Sequence, residues 1–266
     1  MRVAIKMMSS MATRQLLSRL VDNYAEMCVD NEDGRRQPAQ QGEQGGRSGD
    51  SGDSGSRDSA NPSITLESAG GVNVVKRIEG GETADWIVLS SDAIAGLAEK
   101  GLIDPASKVD LFESSIAVAV PAGAAAIDIS SEAALKAAVL DAAHIGYSTG
   151  PSGTHLLRVF ARWGIADEIA DKLVQSPAGV PVGAMLQQGR VTLGFQQLSE
   201  LQDIDGIRII GPLPPAVALV TVFSIAMAAS SNQAEAFAKW INFVGSPQQD
   251  KAIRACGMVP LQRPSA

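Results

Sequence analysis

Short polar turns follow several apolar segments of this sequence, and residues of these types at helix starts can bind an anion. Ser9 and Ser10 follow the first apolar segment, Gly70 and Gly71 the second, and Ser90 the third. Backbone N–H groups and the helix dipole attract negative charge at a helix N-terminus, and glycine lets a ligand approach the backbone closely. The turns therefore predict an anion site, although plain helix capping or tight turns would use the same residues.

Two later segments add candidates for the same site. In the turn at 149–153 a proline precedes Ser152, Gly153 and Thr154, which present two hydroxyl groups and an open backbone where a helical pattern begins. Gln196 ends a later strand beside Gln197, and its amide suits a carboxylate or a hydroxyl group. We predict that these residues bind the ligand from the second half of the chain.

Three residues are candidates for acid–base chemistry. Glu67, Tyr147 and His155 lie in or beside the predicted turns, and an enzyme that shifts a proton needs one base and one acid near a bound anion. The sequence has no nucleophile elbow, HExxH motif or P-loop lysine, and no GxGxxG after the first strand. This argues against hydrolases, metalloproteases, NTPases and dehydrogenases, and we predict no cofactor.

Charge and cysteine usage limit the possible partners. The formal net charge of −7 comes without a basic stripe, so we do not expect a nucleic acid partner. The two cysteines, Cys28 and Cys256, belong to no Cys/His cluster, and we predict no metal site. They could be two small buried hydrophobic residues, and a disulfide between them is the open alternative.

The amphipathic patterns predict a protein without membrane insertion. No apolar run is long enough to span a bilayer, and Lys6 interrupts the first apolar segment too early for a secretory signal. The sequence as written therefore predicts a cytoplasmic location. A start codon further upstream that encoded an export signal would change the prediction to the periplasm, with an ABC permease as partner.

Apolar periodicity predicts strands that alternate with helices. We expect strands over 3–8, 63–67, 86–89, 115–120, 144–148, 191–195, 207–210 and 217–227. We also expect helices over 166–174 and 182–186, a helix that Ser230 and Gln233 start as a capping box, and another that begins at Pro247. Successive strand–turn–helix units favour an α/β fold with mostly parallel sheets flanked by helices.

The order of these units predicts two lobes. Residues 31–60 contain no Val, Ile, Leu, Met or aromatic residue, and we expect this insertion to be disordered. A new set of strands and helices follows the strand at 115–120, and the long strand at 217–227 returns the chain to the first set. We predict that lobe 1 comprises 1–116 and 217–266, that lobe 2 comprises 117–216, and that two crossovers leave a cleft between them.

The chain resembles the type 2 periplasmic solute-binding proteins, and among them the molybdate-binding branch. The segments that carry the resemblance are MSSMAT at 8–13, VKRIEGGETAD at 75–85, GYSTGPSG at 146–153, GFQQ at 194–197 and GPLP at 211–214. They extend over nearly the whole chain outside 31–60. The resemblance implies a two-lobed fold whose hinge closes the cleft on one small anion.

The same resemblance implies two functions. In molybdate binders a serine-rich loop after the second strand supplies a hydroxyl group to the oxyanion, whereas this chain has glycine at 70 and 71. A related branch includes aconitate isomerase, which moves a proton along an unsaturated tricarboxylate. The expected function is therefore binding of a small anion, either an oxyanion or an organic di- or tricarboxylate, and the alternative is an enzyme similar to aconitate isomerase.

Overall fold

Helices and strands alternate along most of the chain in the computed structural model, which describes residues 4–35, 62–177 and 179–261. The strands are β1 Ala4–Ser10, β2 Ser63–Ala69, β3 Trp86–Ser90, β4 Val109–Pro121, β5 Ile145–Tyr147, β6 Leu173–Gln175, β7 Leu193–Gln197, β8 Ile207–Pro212, β9 Val220–Met227 and β10 Val259–Pro260. The helices are α1 Met11–Arg35, α2 Gly71–Glu79, α3 Ser91–Glu99, α4 Glu132–Asp141, α5 Pro151–Arg162, α6 Val182–Gln187, α7 Leu198–Leu201, α8 Ala234–Val244 and α9 Asp250–Ala255.

The strands form a ten-stranded system in the order β2-β1-β3-β9-β4-β7-β5-β6, with β8 and β10 also paired to β4. Toward the two ends of this order the strands pair in parallel. Strand β1 pairs with β2 and β3, and strand β5 pairs with β6 and β7. The pairs that involve β4 and β9 are antiparallel. The sheets are therefore parallel at their outer parts and mixed where the chain crosses between them.

Strand β4 belongs to both sheets. Its first half pairs with β9 as far as Ser115, and its second half pairs with β7 and β8 from Ile116 onward. The segment between β8 and β9 crosses back, and the Ile116 N–H donates to the Leu219 carbonyl oxygen at 3.3 Å. We propose these two crossings as the hinge. The lobe boundaries expected at 116/117 and 216/217 stay a prediction.

Each lobe has its own apolar core. In lobe 1 the buried face of α1, with Leu16, Leu20 and Tyr24, packs with Trp240 of α8. In lobe 2 the strands pack with α4 and α5 through residues such as Val118 and Phe160. Side chains buried on both faces of a central sheet explain why the strands read as nearly continuous apolar runs.

Several local expectations need correction. Residues 31–35 continue α1, and the rest of the predicted disordered insertion lies outside the described residues. The predicted helix over 166–174 is wrong: a single 3₁₀ turn at Ala170–Lys172 leads into β6, because pairing with β5 outweighs helical periodicity. The expected capping box is also wrong, since α8 begins at Ala234 without a side-chain cap and Ser231 instead donates to Asp85 at 3.1 Å.

The two cysteines lie in the same core. Cys28 and Cys256 are both buried in lobe 1 as thiols, and no disulfide joins them. Burial raises the pKa of the Cys256 thiol, so this sulfur is held as the neutral thiol. The reading as small buried hydrophobic residues therefore describes them better than the disulfide.

Candidate functional site

A cleft between the lobes lies where four helices begin. Its walls include Ser10 and Met11 at the start of α1, Gly71 at the start of α2, Ser90 before α3 and Pro151 at the start of α5. The first N–H groups of a helix have no partner within the helix, and no side chain caps α2, α3 or α5. The cleft therefore collects backbone donors and the positive ends of several helix dipoles.

The cleft opens to solvent. Its volume is about 900 Å³ when the space open to solvent is included. The residues that line it come from both lobes, and among those that the structure describes none is lysine, arginine or histidine. Negative charge in this cleft would therefore be stabilised by hydrogen bonds and dipoles and not by ion pairs.

Gly70 and Gly71 form an open part of the lobe 1 wall. Neither has a positive φ angle, so the backbone itself does not require glycine at these positions. A Cβ atom would lie 3.8 Å from Asn73 Nδ2 at residue 70, and 3.8 Å from Ser10 Cβ at residue 71. Alanine would thus fit the protein alone. What glycine provides here is room beside the N-terminus of α2.

Hydroxyl groups form part of the lobe 2 wall. Ser148 and Ser152 share a hydrogen bond of 2.7 Å between their Oγ atoms, and both residues are buried. Ser176 is another buried serine that lines the cleft. Each hydroxyl group can donate one hydrogen bond, so this wall can bind ligand oxygens.

Gln196 holds an acidic side chain in the same wall. The Val182 N–H donates to Gln196 Oε1 at 2.7 Å, and Gln196 Nε2 donates to Glu200 Oε1 at 2.8 Å. The bond from the backbone donor fixes which end of the amide is the oxygen. Burial raises the pKa of Glu200 to about 7, although the hydrogen bond from Gln196 lowers it.

Gln197 is the other amide of this wall. Its Nε2 donates to Thr221 Oγ1 at 2.6 Å, and its Oε1 is buried with no hydrogen-bond partner. The Thr221 hydroxyl group can donate as well as accept, so rotation of the amide would turn the NH₂ group toward the free position. Gln197 can thus offer a ligand either an acceptor or a donor.

The structure brings most of the predicted binding residues to one cleft. Those that line it are Ser10, Gly70, Gly71, Ser90, Ser152 and Gln196. Three others do not. The Ser9 hydroxyl group binds Ser68 Oγ at 2.7 Å inside lobe 1, and exposed Thr154 donates to the Gly150 carbonyl oxygen at 3.4 Å. At Gly153 a Cβ atom would lie 1.8 Å from the Ser148 carbonyl oxygen, so glycine is needed for helix packing.

The predicted acid–base residues are not among those that line the cleft. His155 Nε2 lies 2.8 Å from the Val217 carbonyl oxygen, and the Tyr147 ring packs against the lobe 2 core. Glu67 accepts a hydrogen bond from Arg77, and this bond lowers the pKa of Glu67. All three side chains make these contacts within the protein, and their expected acid–base roles stay a prediction.

The sequence reasoning missed Glu200. A lone acidic residue in a short helix carries no motif, and acidic residues are usually solvated. Its spacing from Gln196 gave no signal either, because Gln196 lies in β7 and Glu200 in α7. The described residues also contain no group of three or more His, Cys, Asp or Glu that could hold a metal ion, and no helix among them is long and apolar enough to cross a membrane.

The fold and cleft define a class of two-lobed α/β proteins, the type 2 solute-binding proteins. Residues 59–259 match the family described as bacterial extracellular solute-binding proteins, and the chain belongs to this family. The chain is also similar to an aconitate isomerase from Pseudomonas sp., with 35% identity over 189 residues that cover 71% of this chain and 72% of the relative.

Solved structures show the same fold. A periplasmic molybdate-binding protein from Azotobacter vinelandii superposes with a TM-score of 0.68 at 17% identity, over 97% of this chain and 100% of the other. The substrate-binding domain of a putative molybdenum ABC transporter from Clostridium difficile superposes with a TM-score of 0.67 at 15% identity, over 98% of this chain and 100% of the other. These likenesses confirm the predicted architecture.

Proposed function

We propose that this protein binds one small organic polycarboxylate anion in the cleft between its lobes. The observation that carries the proposal is the convergence of the N-termini of α1, α2, α3 and α5 on a cleft whose described lining has no basic side chain. Such donors bind anionic oxygens without ion pairing.

The open wall at Gly70 and Gly71 supports a carboxylate. Where hydroxyl side chains would close around a compact oxyanion, this chain leaves free space beside the N-terminus of α2. A planar carboxylate on a longer ligand could enter that space and reach the backbone donors. Family membership supports solute binding as the general role. The relative with 35% identity is an aconitate isomerase, and aconitate is a tricarboxylate.

A panel of anions tests this proposal. Thermal unfolding of the full chain would be measured at pH 6.5 with trans-aconitate, cis-aconitate, citrate, sulfate and molybdate, and calorimetry would give Kd for each anion that binds. A ligand that binds the folded state raises Tm according to its concentration relative to Kd. We expect the polycarboxylates to raise Tm most. A response to molybdate or sulfate alone would contradict the carboxylate, and no response to any anion would contradict the site.

A second candidate function is isomerisation of an unsaturated tricarboxylate. Two observations favour it: the identity to the aconitate isomerase, and the Glu200 carboxyl group, whose pKa of about 7 allows it to take and return a proton near neutral pH. In an allylic shift a base removes a proton from the CH₂ group beside the double bond, the double bond moves by one carbon, and the proton is added at the other end. Atoms and charge balance without a cofactor.

Proton NMR of cis-aconitate incubated with the protein distinguishes the two functions. An isomerase converts it to the trans isomer, and in D₂O it exchanges the allylic hydrogens. Glu200→Gln should abolish conversion, whereas Glu168→Gln, at an exposed position in lobe 2, should not. Binding without conversion or exchange in the unmodified protein would leave solute binding as the function.

A further inference from the structure

Glu200 is an acidic side chain in a cleft that otherwise suits anions. It lines the cleft in company with serine, glycine and amide groups, and no described lining residue is cationic. An ionised carboxylate at this position would repel an incoming anion, and no neighbouring charge would compensate. The acidic side chain and a bound anion can occupy the same cleft when a proton lies between the Glu200 carboxyl group and the ligand.

A hydrogen bond from Gln196 holds the Glu200 carboxyl group in the cleft wall. One of its oxygens accepts a hydrogen bond of 2.8 Å from Gln196, and Gln196 is itself fixed by the Val182 N–H at 2.7 Å. Gln196 is buried, with 2% of its surface accessible. This chain of hydrogen bonds from α6 positions Glu200 from one side, so a ligand meets a carboxyl group whose place is set before binding.

Nearby charges do not explain the raised pKa of Glu200. The elements that pack against α7 are α1, α6, β4 and β7, and α6 and β7 have no titratable residue. The titratable and charged residues on the described part of α1 up to residue 29, on β4 and just after α7 are Arg14, Arg19, Asp22, Tyr24, Glu26, Cys28, Asp110, Glu113, Asp203 and Asp205. None of them contributes to the raised pKa of Glu200, which comes from burial.

We propose that Glu200 binds the anion in its protonated form, so that the cleft takes up one proton from solution with each fully ionised ligand. The proposal rests on anion binding in this cleft, and it makes Glu200 a specificity-determining residue. A protonated carboxyl group donates a hydrogen bond to a ligand oxygen, whereas the ionised form can only accept one. The ligand class is an anion that presents an acceptor oxygen to lobe 2.

The sign of the pH dependence follows from the direction of the linked proton. Below the pKa of free Glu200, about 7, the carboxyl group already has its proton and Kd should be independent of pH. Above that value the free protein is ionised and must take up a proton to bind, so Kd should rise about tenfold for each pH unit. If the protein isomerises its ligand, turnover uses the ionised form of the complex, and kcat rises with pH as affinity falls.

Calorimetry at pH 8 measures the proton directly. The full chain would be titrated with trans-aconitate, which is fully ionised at this pH, in HEPES and Tris buffers, whose ionisation enthalpies differ. The difference in apparent binding enthalpy gives the number of protons taken up. We expect about one for the unmodified protein. We expect zero for Glu200→Gln, which keeps a hydrogen-bond donor at every pH and should bind with a Kd that does not change between pH 6 and 9.

Glu168→Gln serves as the matched control because Glu168 is exposed in lobe 2 and does not line the cleft. It should bind with the same proton uptake as the unmodified protein. Binding of trans-aconitate at pH 8 with no proton uptake would overturn the role of Glu200 while anion binding stands. If Glu200→Gln does not fold, the dependence of Kd on pH in the unmodified protein tests the proposal instead. A Kd that does not change from pH 7 to 9 overturns it. Failure of every anion to bind contradicts the proposed function itself.

Discussion

The two walls of the cleft use different chemistry. The lobe 1 wall presents helix starts and glycines, and it lines the cleft without a titratable side chain. The lobe 2 wall presents the start of α5 together with several polar side chains, and Gln196 and Glu200 form a hydrogen-bonded pair in it. A wall of backbone donors has the same charge at every pH, whereas a wall with a desolvated carboxyl group of pKa about 7 changes charge near neutrality. We therefore expect lobe 1 to favour anions at every pH and lobe 2 to set the dependence of binding on pH.

The largest expected effect concerns stability and comes from lobe 2. The folded-state pKa of Glu200 is about 7, above the ordinary value of 4.5, so Glu200 stabilises the fold below pH 4.5 and loses this contribution as the pH rises to 7. Relative to Glu200→Gln, the unmodified protein should lose about 3 kcal/mol of unfolding free energy between pH 4 and 8. Urea unfolding at several pH values measures it. If the free energy of unfolding depends on pH equally in the two proteins, the raised pKa of Glu200, on which the contrast between the walls rests, is contradicted.

An intermediate effect is expected from filling the lobe 1 wall. Gly71→Ala adds a methyl group that meets only atoms 3.8 and 3.9 Å away within the protein, but it occupies space beside the N-terminus of α2. We expect Kd for trans-aconitate to rise about tenfold, which corresponds to about 1.4 kcal/mol, with Tm unchanged or slightly higher. The control is Gly96→Ala in α3, where a Cβ atom meets nothing within 4 Å. Unchanged affinity in Gly71→Ala would show that the ligand does not reach this wall.

The smallest effect is expected from one hydroxyl group of lobe 2. Ser152→Ala removes a hydrogen-bonding group from the cleft and should weaken binding by about 1 kcal/mol, or about fivefold in Kd. Thr154→Ala is the matched control, because this nearby hydroxyl group is exposed and bonded to Gly150. Calorimetry compares the two variants. A larger loss of affinity in Thr154→Ala would mean that the ligand binds outside the cleft described above.

Much of the local structure could be predicted from short segments. The first strand and the short helix α6 follow from residue types within a few positions, although β1 continues through Ser9 and Ser10, where a turn was expected. The failures were at 166–174 and at the start of α8, where contacts with distant residues decide. Leu173 joins an edge strand beside Ile145, and Ser231 binds Asp85, which lies far away in the sequence.

The candidate site was predicted in its backbone part and missed in its titratable part. Gly71 and Ser152 could be found because the residue types at strand ends and helix starts can be recognised within a few positions of the sequence. His155, one turn of α5 after Ser152, contacts the Val217 carbonyl oxygen, which is far away in the sequence, so local sequence could not show this contact. Glu200 could not be identified as special from its type alone, since its raised pKa comes from atoms of several elements that surround it.

The sequence by itself determined the alternation of strands and helices, the small turns after the strands and the absence of a cluster of cationic residues around them. These properties depend on residues close together in the chain. Only the tertiary structure decided that the turns of both lobes meet at one cleft, because that depends on the crossings at β4 and before β9. It also decided that the half-buried Glu200 carboxyl group is desolvated there, since desolvation depends on every atom nearby, whatever its distance along the chain.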